Sequence, residues 1–357
     1  MAVRYIDKVL NLSDIKNLPD ATGIGSFGGQ IYFHDGSTQV ALGISLPSVN
    51  YFVDGDNGAD TNDGKSWGNA FVTIQAGIDA CSQGDRVYVK PLEGDASDGD
   101  TDPDSYAELL TLGAGKDGVA IIGVSRGLAQ GAQPQLKIGG SSTTPMIKVE
   151  AFGCLIHNIT INGASSTGGG IEIHGDGSTK DAGGLVVSNC HIKNCKASGN
   201  AATGGGISWT TNGSAWYVTI VNCEFIDNRA GIVMRGTGNS IPRHVKIRAC
   251  RFGSAVNTTV DADILVVASG IKDLFIEDCV FATVDVPAYA SSPTAARYIE
   301  LSAGTTGLIS NCTFACQDSK TFGATGDGAV IPTTVRMAKN YYEAAAATSD
   351  QGLVGRT

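Results

Sequence analysis

The chain has 357 residues, 48 of them glycine, with a net charge of −10, 42% hydrophobic residues and 17% charged residues. High hydrophobicity with low charge excludes a disordered chain; glycines without a G-x-y period exclude collagen, and each would cost a helix interior about 1 kcal/mol relative to Ala. The acidic balance also excludes a basic nucleic-acid-binding stripe, and a turn-rich, all-β protein is the expected class.

In chain order, the opening MAVRYIDKVLNLSDIKNLPD lacks a charged start followed by an apolar run, so no secretory signal is expected. A Gly-rich lead, ATGIGSFGG, precedes IYFHDGSTQVALGISL from Ile31, which reads as a β-hairpin turning at HDGST. Residues 1–50 follow no repeat and are read as a separate attachment or assembly segment. From Tyr51 the chain runs YFVDGDNGADTNDGKSWGNAFVTIQAGIDACSQGDRVYVKP. A short helix is expected over residues 73–82, with Phe71, Ile74, Ile78 and Cys81 on one apolar face. Asp54, Asp56, Asp60 and Asp63 alternate with Gly and Asn, as in a tight turn offering several oxygens to calcium. The order is not that of an EF-hand, so a solvated surface loop is the competing reading. A second acidic run, EGDASDGDTDPD from Glu93, has the same two readings.

From residue 155 onward the sequence repeats. LIHNITING from Leu155, LVVSNCHIKN from Leu185, VTIVNCEFIDN from Val218, VKIRACRFGS from Val245, LFIEDCVFAT from Leu274 and LISNCTFAC from Leu308 share one form, apolar-x-apolar-x-Asn-Cys-x-(Ile/Phe). Ile159, Cys190, Cys223, Cys250, Cys279 and Cys312 fall in one column, 27 to 33 residues apart. Between these copies lies a second column, GGGIEIHG from Gly168, GGGISWTT from Gly204, AGIVMRG from Ala230, DILVVASG from Asp263 and RYIELSAG from Arg297. Both alternate apolar and polar residues, as a strand with one buried face does. A strand-turn-strand-turn unit of roughly 30 residues is a solenoid rung, and each rung stacks on the last. Asn158, Asn189, Asn222 and Asn311 sit where the chain must bend, and Asn tolerates the left-handed conformation such a corner uses. Ala249 and Asp278 depart from this ladder, and irregular rungs are expected there. The cysteines are too far apart for a zinc site and read as small hydrophobes in the core rather than disulfides. Trp209 takes the inward phase.

At these residues the sequence resembles the pectin-lyase-like right-handed parallel β-helix superfamily, over about residues 51–320. The resemblance implies an all-β, single-stranded right-handed parallel β-helix (a solenoid) whose open end is plugged by the short helix, behind a small N-terminal β-hairpin extension. GVAIIGVSRG from Gly118 resembles the first full-rung strand, and residues 321–357 read as a C-terminal tail or assembly segment. Enzymes of this superfamily work with outward-facing residues on one face of the coil. Here Glu172, His174 and Arg235 take outward phases, with Asp176 on the next turn, and form the candidate catalytic set. Acidic and basic groups so placed suit β-elimination or hydrolysis. The superfamily's polygalacturonase set N-T-D, D-D, G-H-G and R-I-K is absent, and Val233 interrupts the outward column. Trp216 and Tyr217, at a loop-to-strand junction, are the candidate ligand platform.

Short N-terminal segments like residues 1–50 precede β-helices in similar bacteriophage tailspike, fibre and head-decoration proteins, where they dock onto the particle. With no recognisable signal, free thiols and an acidic surface, the leading expectation is a virion protein made in the bacterial cytoplasm. It would be a homotrimer, contact other virion proteins through residues 1–50, and bind host-surface polysaccharide or clad the particle. The alternatives are a polysaccharide lyase or glycoside hydrolase, and a bacterial surface adhesin. No cofactor is expected beyond the calcium reading of the first acidic loop.

Overall fold

The computed structural model describes residues 30–32, 38–40, 48–93, 104–125, 133–137, 144–163, 169–175, 181–195, 205–210, 214–237, 240–253, 262–282, 297–315, 322–323, 329–343 and 352–353. The chain divides into two compact units, residues 1–48 and 49–357. In the first, Gln30–Tyr32 and Thr38–Val40 pair antiparallel, with Ile31 opposite Gln39, as the hairpin reading expects.

The second unit is a parallel β-solenoid. Its strands stack into three sheets of ten, ten and nine strands among the described residues. Each rung contributes one strand to each sheet in turn. Leu155–His157 lies in sheet I, Thr160–Asn162 in sheet II and Ile171–Ile173 in sheet III; the next rung repeats this with Val186–Ser188, His191–Lys193 and Ile207–Trp209. Parallel crossovers of this kind are right-handed in nearly all proteins, and so is this coil.

The period-2 pattern produces the core. Val87, Ile121, Ile156, Val187, Ile220, Ile247, Ile276 and Ile309 form an inward row of sheet I, each with no exposed surface. Burying a side chain of this size contributes about 1.5–3 kcal/mol. In sheet II the inward row passes from Ile161 and Ile192 to Phe225, Phe252, Phe281 and Phe314. The four rings stack at 4.8–4.9 Å within 8° of parallel, which is the rung spacing of about 4.8 Å. Trp209 is fully buried, as its phase predicts. Cys190, Cys223, Cys250, Cys279 and Cys312 line the inside of the I–II corner as free thiols, and Cys81, Cys154 and Cys195 are also free and buried. Burial pushes Cys154 and Cys195 up to about 12, because an apolar interior disfavours thiolate.

From the rung of Leu155–His157 onward, each described corner from sheet I to sheet II turns through one left-handed residue. Asn158, Asn189, Asn222, Ala249, Asp278, Asn311 and Lys339 have φ between 51° and 59°. The first six each donate a backbone N–H to the next rung at 3.0–3.2 Å. The irregular rungs expected at Ala249 and Asp278 are therefore not found. Neighbouring rungs on both sides hold the corner open, so Ala249 takes the strained conformation and only its side-chain hydrogen bond is lost. Where the amides persist they ladder, Asn189 Nδ2 donating to Asn158 Oδ1 at 2.7 Å.

The plug helix is Ile74–Ala80. The Thr73 hydroxyl caps it by accepting from the Ala76 N–H, and Phe71, Ile74, Ile78 and Cys81 are buried as expected. Two extents differ from the sequence reading. A full rung, Arg86–Val89, Ser105–Tyr106 and Leu110–Leu112, precedes Ala120–Gly123. The coil also continues past residue 320, since Val335–Ala338 and Tyr341–Glu343 pair in register with Gly307–Ser310 and Thr313–Ala315. There Asn340 occupies the cysteine column; its buried amide accepts from the Cys312 N–H and donates to the Ile309 carbonyl, which hides the repeat from a pattern built on cysteine.

Candidate functional site

Three places gather the residues singled out from sequence. The first is the acidic loop. Asp54 Oδ1 accepts the N–H groups of Asp56 and Asn57, and its Oδ2 accepts from Lys90 Nζ at 3.1 Å. Burial pulls the Asp54 carboxyl upward, but Lys90 and the two amides outweigh it and hold it below the usual carboxylate value. Asp60 accepts from the N–H groups of Val72 and Thr73 and from the Thr73 hydroxyl; Asp56 accepts from the Glu93 N–H and Asp63 from the Lys65 N–H. Asp54, Asp56 and Asp60 thus tie the turn to residues 90–93 and to the start of the plug helix, while Asp63 bonds within the turn. Among the described residues no cluster of three or more acidic, His or Cys side chains is arranged to hold a metal. Of the second acidic run, residues 94–103 lie outside the described residues.

The second place is the outer face of sheet III. Ile171 and Ile173 point into the coil, so Glu172 and His174 point out, as expected. Glu172 pairs with Lys148 on the preceding rung and Ser208 on the following one. A hydrogen bond joins His174 Nε2 to Glu172 Oε1. Glu150 Oε1 stands 4.0 Å from His174 Nδ1 and 2.7 Å from Lys148 Nζ. Arg235 follows His174 two rungs on, beside Thr210; burial lowers its pKa while the charge of Glu172 opposes that. The three described catalytic candidates therefore do share a face. Asp176 lies outside the described residues.

The exposure of this face is the finding that sequence did not anticipate. A solvated outer face is the ordinary expectation for a solenoid, yet Glu172 and Arg235 are 5% exposed and Ser208 is 1% exposed. Val233, which breaks the polar column, packs with Ala230, Ala262 and Leu265 into a second, smaller apolar cluster. A general acid or base must come within hydrogen-bond reach of the bond it serves. Glu172 and Arg235 thus sit in a polar layer of mixed charge with Lys148, Glu150 and His174.

The third place is the corner where each rung re-enters sheet I. Here seven successive rungs turn through a left-handed residue. Gly84, Gly118, Gly153 and Gly184 do so in succession, then Tyr217, His244 and Asp273, with φ of 60°, 54° and 56° for the last three. Glycine adopts this conformation freely; a tyrosine there is uncommon and strained. Tyr217 is 58% exposed and stacks on His244 with centroids 4.8 Å apart and planes within 8°. One residue earlier in each rung, Phe152, Gly183, Trp216, Arg243 and Lys272 form a parallel column. The Arg243 guanidinium lies 5.2 Å from the centre of the Trp216 ring, Trp216 is 40% exposed and Phe152 is 52% exposed. A Cβ on Gly183 would lie 3.1 Å from Phe152 Cε2, so the phenyl ring leans across the glycine pair. His244 Nδ1 is 3.3 Å from Asp273 Oδ2. The structure thus brings the two aromatic candidates together on the surface, and adds Phe152, Arg243 and His244, which sequence reasoning passed over. Their signal was available: two residues before the register positions Arg86, Ala120, Leu155, Val186, Thr219, Lys246 and Phe275, the sequence reads Gly, Gly, Gly, Gly, Tyr, His, Asp.

No family model matches the sequence, and no curated protein matches it. Among solved structures, the GH136 lacto-N-biosidase from Eubacterium ramulus superposes with a TM-score of 0.50 at 13% identity, over 82% of this chain and 56% of that one. The ORF18 protein of Geobacillus virus E2 gives 0.48 at 12% identity, over 90% of this chain and 68% of that one. Pectin methylesterase from carrot gives 0.46 at 11% identity, over 86% of each. This chain therefore spans little more than half the length of the lacto-N-biosidase. At such identities the likeness concerns architecture only. Three stacked sheets of parallel rungs, left-handed corner ladders and a plugging helix together give this chain a parallel β-solenoid fold, the architecture that its sequence resemblance implies.

Proposed function

We propose that this protein is a surface β-helix of a bacteriophage virion that binds host-surface polysaccharide along the corner bearing Trp216 and Tyr217. The observation that carries this reading is Tyr217, an exposed ring at a left-handed position that four preceding rungs fill with glycine. Strain of this kind persists where the surrounding structure enforces it and clusters at ligand sites. Flat amphipathic rings on a rigid ladder are suited to a sugar, giving apolar area at little entropic cost. The column of buried free thiols fits a chain folded in a reducing cytoplasm. The separate unit of residues 1–48 suits attachment to other virion proteins, and a homotrimer is the assembly proposed.

The test is binding of the purified protein to a panel of bacterial surface polysaccharides by biolayer interferometry, beside Trp216→Ala and Tyr217→Gly. Binding that falls about 10-fold or more in either variant, while both keep the native circular dichroism spectrum, is the expected result. Binding that neither variant changes would place the ligand elsewhere. Light scattering reads the assembly at the same time, and a monomer at micromolar concentration would contradict the trimer.

A second reading, polysaccharide cleavage, is favoured by the contact of His174 with Glu172 beside Glu150. It requires a substrate to reach Glu172, which is 5% exposed. Release of reducing ends that Glu172→Gln abolishes would establish it.

A further inference from the structure

Resting on the glycan-binding reading, we infer that the sugar seated at Trp216 and Tyr217 carries an acidic group, and that Arg243 is the residue that selects for it. The chain carries a net charge of −10, and several of its arginines meet carboxylates: Arg248 with Asp278, Arg251 with Glu224 and Arg297 with Glu300. Arg243 does not. Its guanidinium lies against the exposed Trp216 ring, its Nε is buried without a hydrogen-bond partner, and no carboxylate stands within ion-pair distance of it among the described residues. The neighbouring acid, Asp273, is engaged by His244.

Cation–π attraction holds the guanidinium over the indole ring. A fork held in this way matches a carboxylate or phosphate oxygen pair better than a sugar hydroxyl. Trp216 and Arg243 stand on adjacent rungs and are joined by a parallel bridge, so they lie about 4.8 Å apart along the coil. A sugar ring on the aromatic pair therefore has its substituents within reach of the guanidinium. Arg243 and Lys272 stand opposite each other on consecutive rungs at this end of the ridge, and Asp273 beside Lys272 faces His244.

The experiment is a glycan array in matched pairs, the same core with and without a carboxylate and with and without a phosphate, probed with wild type, Arg243→Gln and Trp216→Ala. Wild type is expected to prefer acid-bearing members by about 10-fold or more. Arg243→Gln should bind both members of a pair alike, at an unchanged thermal midpoint. The carboxylate and phosphate arms identify which oxyanion is read. Equal binding of neutral and acidic members by wild type, or a preference that Arg243→Gln retains, would overturn the inference while leaving the glycan-binding reading intact. Binding to no member, or only binding that Trp216→Ala leaves unchanged, would overturn both.

Discussion

At the scale of single residues, two left-handed corners of the same coil carry different messages. Between sheets I and II the conformation is filled mostly by Asn, which tolerates it and ladders its amide along the coil. Ala249 holds the same φ of 51° without that compensation. Ala249→Asn is therefore expected to raise stability by about 1 kcal/mol, read as the denaturant midpoint. At the corner entering sheet I, Tyr217 occupies a glycine position. Tyr217→Gly should leave stability unchanged or raise it by up to about 1 kcal/mol, since relief of strain offsets the lost stacking on His244. The same variant should lose glycan binding; a large loss of stability would mark Tyr217 as a structural residue. The Asn corners were legible in the sequence because Asn bears its conformational preference in its type. Tyr217 was legible only as an aromatic at a junction, because strain belongs to a backbone conformation that neighbouring rungs impose.

At the scale of elements, the strand pattern carried most of the information. Period-2 alternation identified the inward rows, and the shared column of Cys and Phe identified their stacking. Phe252 has parallel ring contacts on both sides. Phe252→Ala should accordingly cost about 3–5 kcal/mol, because the surrounding ladder cannot collapse into the gap. The free thiols give a pH prediction. Burial pushes Cys195 up to about 12, whereas an unfolded thiol titrates near 8.5. The folded state therefore holds the proton longer than the unfolded one. The stability this contributes is complete below about pH 8.5 and declines as pH rises towards the folded value. Denaturation midpoints should fall between pH 8 and 11, less steeply in Cys195→Ala, and a thiol reagent at pH 8 should react only after unfolding. A midpoint flat across that range would contradict the buried-thiol account. What alternation did not reveal is the burial of Glu172 and Arg235. Their outward phase was correct, but phase states which way a side chain points and not how much of it neighbouring side chains bury.

At the scale of the whole molecule, the long apolar interior accounts for the low charge, and the left-handed corner entering sheet I places four of the glycines, Gly84, Gly118, Gly153 and Gly184. The same regularity concentrates function at exceptions. Along the corner leading into sheet I, four glycine rungs give way to Tyr217 and His244, and the column beside it runs through Phe152, Trp216 and Arg243. Sequence began the coil correctly near residue 51, but placed its first full rung one rung late and its end one partial rung early. In both places the marker residue is missing, while sheet I pairing continues through Arg86–Val89 and Val335–Ala338. The most direct measurement of the central claim is the affinity of the purified protein for bacterial surface polysaccharides before and after Tyr217→Gly. The account predicts saturable binding that falls about 10-fold or more in a variant at least as stable as wild type. Equal affinity in the two proteins would contradict it.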